Sequence, residues 1–101
     1  MSEAEQRILN AVRAIPEGFV RTYGDILPAA PRAVGRVLKT VHRPGVPWWR
    51  VVRADGSLAA GDDQRKRLED EHVPFRPGPS ARVDLRLARI GDATPPRKIQ
   101  D

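Results

Sequence analysis

Along the first fifteen residues the apolar positions recur at helical spacing: Ile8, Leu9, Val12 and Ile15 share one side of a helical wheel. Ser2 and Glu5 stand ahead of them at capping-box spacing, and Pro16 and Gly18 end the run, so a first helix is predicted here. Shorter elements follow. Thr22 is placed to cap a short second helix, with Asp25 in its first turn and Pro28 stopping it. Pro31 suits the first turn of a third helix. Val34, Val37, Leu38 and Val41 form its buried stripe, and Arg32, Arg36 and Lys39 lie on the opposite side. Two short helices joined by the turn from Pro28 to Ala30 read as a helix-turn-helix.

Beyond Gly45 the pattern changes to an extended segment through Val51 and Val52. Asp55-Gly56 supplies a tight turn, after which Leu58-Ala59 is expected to pair back as a small hairpin. Asp62 or Asp63 is placed to cap a fourth helix, with Leu68 facing inward and an end near His72, before Pro74. Residues 76–80 have loop composition, and Val83, Leu85 and Leu87 alternate with polar positions, which predicts an extended segment. The fold class expected is mainly α with a small β hairpin, a winged helix-turn-helix domain over residues 1–90, followed by a flexible tail over 91–101.

Composition narrows the chemistry. The 101 residues suffice for one domain with an aliphatic core, since hydrophobic residues make up 40% but aromatics only 5%. The formal charge of +5 suits an anionic partner, nucleic acid above all, although solvated surface charge gives the same total. The cysteine count is zero, which removes disulfides, thiolate metal sites and thiol nucleophiles. His42 and His72 lack ligand-like spacing, so neither a metal nor another cofactor is expected. No apolar run reaches the ~18 residues of a membrane span, and no export signal is visible, so a cytoplasmic, membrane-free protein is expected.

Four ordered blocks carry a resemblance. Ile15-Pro16-Glu17-Gly18-Phe19-Val20-Arg21-Thr22-Tyr23-Gly24-Asp25-Ile26, Pro31-Arg32-Ala33-Val34-Gly35, Val46-Pro47-Trp48-Trp49-Arg50-Val51-Val52 and Gln64-Arg65-Lys66-Arg67-Leu68-Glu69-Asp70-Glu71 resemble the DNA-binding domain of the O6-alkylguanine-DNA alkyltransferases. They cover roughly residues 3 to 90. Where the active enzymes carry Pro-Cys-His-Arg, this chain reads Pro47-Trp48-Trp49-Arg50, so the thiolate that accepts the alkyl group is missing. That pattern resembles the alkyltransferase-like proteins, from which Trp49, standing at the histidine position, departs in turn. The enzymes' separate N-terminal domain has no counterpart in this sequence.

The resemblance implies a non-enzymatic protein that binds duplex DNA through the minor groove, turns O6-alkylguanine out of the stack and leaves it chemically unchanged. It also implies that the bound lesion is marked for nucleotide excision repair and shielded from a true alkyltransferase. By the same implication Thr22, Tyr23, Arg32, Ala33, Gly35, Arg36 and Lys39 face the DNA. Arg32 would fill the gap left in the stack, and Tyr23 would press on the phosphate of the rotated nucleotide. Tyr23, Val46, Pro47, Trp48 and Trp49 would line the base pocket, with Trp48 as its floor. Glu71 would be a structural partner of Arg50. The asparagine that alkyltransferases place before the active-site strand has no clear carrier in Thr40-Val41-His42-Arg43, and Ala59-Ala60-Gly61 lacks the arginine some alkyltransferase-like proteins place near the base. A monomer is expected, nucleoid-associated if the source is bacterial. The alternatives are a winged-helix regulator that binds one unmodified sequence, a decayed alkyltransferase, and a hydrolase built on Glu71 or an aspartate.

Overall fold

A computed structural model describes residues 2–40, 44–78 and 81–90 of the chain. The expectations for Val41, for residues 41–43 as part of a stretch without a clear carrier of the asparagine role and for the tail 91–101 lie outside the described residues.

The helices at the N-terminal end start where their caps demand. In α1 (Glu3–Arg13) the Ser2 hydroxyl accepts from the Glu5 N–H at 3.1 Å, and the Glu5 carboxylate accepts from the Ser2 N–H at 3.1 Å. The same reciprocal pair opens α2 (Tyr23–Ile26), where Thr22 and Asp25 exchange bonds of 3.0 and 3.1 Å. α3 (Pro31–Thr40) begins at its proline. Between α2 and α3 the chain turns through residues 28–30, giving the predicted helix-turn-helix.

The β element differs from the expected hairpin. Strand β1 (Arg21–Thr22), just ahead of α2, pairs in parallel with β2 (Val51–Val52), in the register Arg21 to Val51 and Thr22 to Val52. The Asp55-Gly56 turn does form, closed by the Arg53 N–H to the Ser57 carbonyl at 3.0 Å. Leu58-Ala59 does not pair back; Ser57 instead bridges Arg82, and the Gly56 carbonyl accepts from the Val83 N–H at 2.9 Å. Only glycine fits at position 56: its φ is +86°, and a Cβ there would lie 2.6 Å from the Val83 carbonyl oxygen. The turn is thus covered by the C-terminal segment rather than extended into a strand.

Two further expectations are corrected. α4 runs from Gly61 to Asp70 with Ala60 at its cap, so Asp62 and Asp63 lie in the first turn, where carboxylates complement the helix dipole. The side chain that reaches back is Gln64, whose Oε1 accepts the Ala60 N–H at 3.1 Å. Residues 85–88 are not extended but form a short helix α5 (Leu85–Ala88), because the Asp84 carboxylate accepts from the Arg86 N–H at 3.2 Å and caps a turn. Val83 and Ala88 point inward, and Leu87 is 64% exposed.

Neighbouring residues of a strand face opposite ways, and here that splits the interior. Val51 joins a cluster of Ile8, Leu9, Val12, Ile15, Val34, Val37 and Val46. Val52 joins a second cluster of Val20, Leu68, Val73, Val83 and Ala88. The two-stranded sheet is the partition between the cores. It also carries Tyr23 and Arg53 out side by side, since each follows a residue of the paired register.

Candidate nucleic-acid interface

A cavity of about 490 Å³ opens between the helix-turn-helix and the segment that follows β2. Tyr23, Pro31, Arg32, Gly35, Arg36, Leu38 and Lys39 form one wall, and Trp48, Arg53, Ala59, Ala60 and Gln64 form the other. The volume lies in the range of about 300–1,000 Å³ usual for pockets that take small organic groups.

The helical wall follows from the amphipathic pattern of α3. Val34 and Val37 are buried in the first core, which turns Arg32, Arg36 and Lys39 outward, all three exposed. Among the described residues neither these cations nor Arg53 enters an ion pair, and no carboxylate lines the cavity. Four positive groups therefore ring an apolar hollow, with no carboxylate among the described residues to neutralise them. Gly35 faces the Tyr23 ring, and a Cβ there would sit 3.8 Å from Tyr23 Cε1, an ordinary contact. Its smallness therefore leaves room in the cavity rather than relieving a clash. Ala33 and Thr22 do not line the hollow; Thr22 is buried beneath it as the cap of α2. Burial raises the Tyr23 phenol above its usual value, partly offset by the Arg53 charge beside it, so the hydroxyl stays protonated.

Behind the opposite wall, Arg53 apart, lies a set of satisfied polar groups. Trp48–Arg50 form a single 3₁₀ turn leading into β2. Gln64, 1% exposed, donates to the carbonyls of Trp49 at 3.0 Å and Val51 at 2.9 Å while accepting from Ala60. One amide thus ties together the 3₁₀ turn, β2 and the loop before α4. Glu71 does the same lower down. It accepts from the Trp49 indole N–H at 2.8 Å, from Arg50 at 2.7 to 3.2 Å and from the Gly18 N–H at 3.2 Å. Arg50 completes the knot by donating to the Ile15 carbonyl at 2.8 Å. Burial pushes the Glu71 carboxyl up, but the hydrogen bonds from Arg50, Trp49 and Gly18, with the Arg50 charge, outweigh it and hold the group below the usual carboxylate range.

The expected pocket set is therefore divided by the structure. Tyr23 and Trp48 reach the cavity. Val46 and Pro47 are buried beneath it, Val46 within the first core. Trp49 packs against the second core and lies outside the lining. The two indoles meet edge to face, 5.8 Å between centroids at 88°, and the Arg67 guanidinium sits 5.4 Å from the Trp48 ring and 5.0 Å from the Trp49 ring. Pro31, Leu38, Arg53 and Gln64 were not expected in the lining, and Ala59 and Ala60 entered the expectations only as a segment without an arginine near the base. Leu38, expected in the buried stripe of α3, is half-buried at the cavity instead, and Arg53 is brought there by the parallel register, which no local signal announces.

Among the described residues no helix is long and apolar enough to cross a membrane. A family model described as 6-O-methylguanine DNA methyltransferase, DNA binding domain, matches residues 3–73. The chain is 47% identical to the DNA base-flipping protein of Escherichia coli, over 61% of this chain and 54% of that one, so it spans about half that relative's length. It is 38% identical to alkyltransferase-like protein 1 of Schizosaccharomyces pombe, over 72% of this chain and 79% of that protein. Among solved structures, Schizosaccharomyces pombe Atl1 in complex with damaged DNA containing O6-carboxymethylguanine superposes with a TM-score of 0.78 at 31% identity, covering 89% of this chain and 96% of that one.

Proposed function

Because the chain belongs to the family of the 6-O-methylguanine DNA methyltransferase DNA-binding domain, and to its alkyltransferase-like branch, we propose that it recognises O6-alkylguanine in duplex DNA, holds the base outside the stack and does not dealkylate it. The observation that carries this reading is the cavity itself: an apolar hollow bordered by Trp48 and Tyr23 and ringed by cations that no carboxylate among the described residues pairs. An apolar hollow suits an alkylated purine. The cations suit the phosphates around it.

In this reading α3 lies along the minor groove, where base identity is poorly coded and damage can be met in any sequence context. Arg36 and Lys39 meet phosphates. Arg32, exposed at the start of the helix, enters the vacated position, stacking on its neighbours and bonding the orphaned cytosine, which offsets an unstacking cost of a few kcal/mol. Tyr23, protonated and half-buried, donates its hydroxyl to the phosphate of the rotated nucleotide. Trp48 presents an indole face where a thiolate would stand; with no cysteine in the chain no alkyl group is accepted. The lesion is then held intact, shielded from an alkyltransferase and marked for nucleotide excision repair.

Equilibrium binding to a duplex with one O6-methylguanine, beside its unmodified twin, tests the proposal. Preference for the lesion, with the alkyl group recovered unchanged, is the expected result. Equal affinity for both duplexes, or preference for one unmodified sequence, overturns it in favour of a winged-helix regulator. Because the cavity is open and apolar, each added methylene on the adduct should strengthen binding by up to about 0.8 kcal/mol while space remains, so a methyl-to-butyl series should not fall steeply.

A further inference from the structure

Residues 81–90 lie beyond the stretch matched by the family model, yet they return to the root of the cavity. The Val20 N–H donates to the Ala88 carbonyl at 2.9 Å and the Ile90 N–H to the Val20 carbonyl at 3.0 Å, so the C-terminal segment pairs with the chain just before β1. Ala88 and Ile90 are buried, at 1% and 3% exposure. Between them Arg89 points outward and across. Its Nε donates to Asp25 Oδ2 at 2.9 Å and its Nη2 to Asp25 Oδ1 at 2.6 Å, a two-pronged pair.

Asp25 is the carboxylate that caps α2. Its Oδ2 also accepts the Thr22 N–H at 3.0 Å, and its own N–H donates to Thr22 Oγ1 at 3.1 Å. Its carbonyl takes the Arg21 guanidinium at 2.9 Å. α2 has four residues, far too few to hold a helical geometry unaided. Its first residue is Tyr23. The direction of that ring therefore depends on what fixes Asp25 against Thr22, together with its packing against the first core.

We propose that Arg89 is a positioning residue for the cavity: by fixing Asp25, and through it the Thr22 cap, it orients Tyr23 for its contact with the rotated nucleotide. The link rests on the function proposed above. Exposed ion pairs contribute little to global stability, and the Arg89 side chain is 45% exposed, whereas its partner Asp25 is 9% exposed. The ordering of α2 should thus respond to Arg89 more than the fold does.

The test uses the full chain as wild type, Arg89→Ala, Arg89→Lys, Asp25→Asn, Tyr23→Ala and the Arg89→Ala/Tyr23→Ala double variant. Affinities for the O6-methylguanine duplex and its unmodified twin are measured, with thermal unfolding alongside. Arg89→Ala should lower the lesion-to-unmodified ratio by about five- to tenfold, the size expected when a charge-assisted tie between neighbouring groups is lost. Arg89→Lys, which keeps the charge without the fork, should fall between Arg89→Ala and wild type. Asp25→Asn, which can still accept from Thr22, should lower the ratio as Arg89→Ala does. The double variant should lose no more than Tyr23→Ala alone, because both changes act through one ring. An unchanged ratio in Arg89→Ala and Asp25→Asn, or losses that multiply in the double variant, overturns the link while leaving the lesion preference of the wild type standing. A wild type without lesion preference overturns the proposed function first, and this inference with it.

Discussion

On the Trp48 side of the cavity, its floor in the proposed function, Gln64 and behind it Glu71 leave no hydrogen-bonding atom of their side chains idle; on the helix side, Arg32, Arg36 and Lys39 end in solvent with no carboxylate partner among the described residues. Groups of the first kind are expensive to bury and expensive to disturb, because loss of one partner strands the others. Groups of the second kind cost folding almost nothing. They stay available for an anion that arrives later. The cavity therefore joins a side backed by residues that set stability to a side whose residues, in the proposed function, set binding, and substitutions outside Arg53 should sort accordingly.

The sharpest way to break that division is Glu71→Ala, expected to destabilise by about 3 kcal/mol, because the Arg50 guanidinium, 15% exposed, and the Trp49 N–H lose their shared acceptor. Chemical denaturation measures it. The same group predicts a pH dependence. Its carboxyl is held low in the folded state, so its contribution is fully present above the unfolded-state carboxylate value and is lost as pH falls through the folded value. Glu71→Gln should flatten that part of the acid stability profile. Gln64→Leu comes next, at about 1–3 kcal/mol, since the Trp49 and Val51 carbonyls lose their donor; water can reach the exposed Ala60 end. A cost near zero would mean that the floor is not held as described.

The helix wall should answer differently. Arg32→Ala is expected to remove about 1–3 kcal/mol of lesion preference while shifting folding stability by less than about 0.5 kcal/mol. Smallest of all, Lys39→Ala should leave stability and lesion preference unchanged, weaken both duplexes alike and reduce the salt slope by about 0.9. If Lys39→Ala destabilised the fold by more than about 1 kcal/mol, outside the usual surface range, the division between the walls would fail.

What could be read from the chain alone was whatever is written locally. Ser2 with Glu5, Thr22 with Asp25, Pro31, and the spacing of Val34 and Val37 each fix an element within a few residues, and each is found where it was expected. Tyr23 and Trp48, named for a base pocket on a resemblance of ordered motifs, border the cavity, and Glu71 pairs with Arg50 as that resemblance implied. The parallel pairing of Arg21–Thr22 with Val51–Val52 was out of reach, since two-residue strands carry no periodicity and their partners are far apart in the chain. With it went Arg53. Residues 83–88 misled for another reason: an alternating pattern of leucines competed with a single capping carboxylate at Asp84, and the cap won. Asp62 and Asp63 misled in the opposite sense, since the bond to the Ala60 N–H comes from the less conspicuous Gln64.

Trp48 and Trp49 are the two tryptophans of the chain, and they meet edge to face beside the cavity. Tryptophan emission from the unlabelled protein therefore originates at that one place. Trp48 borders the hollow, while Trp49 is bonded to Glu71 behind it, so in the proposed function a purine settling on the first ring should dim the emission of the pair. On that reading the molecule carries its own optical gauge of occupancy, and no dye is needed to read it.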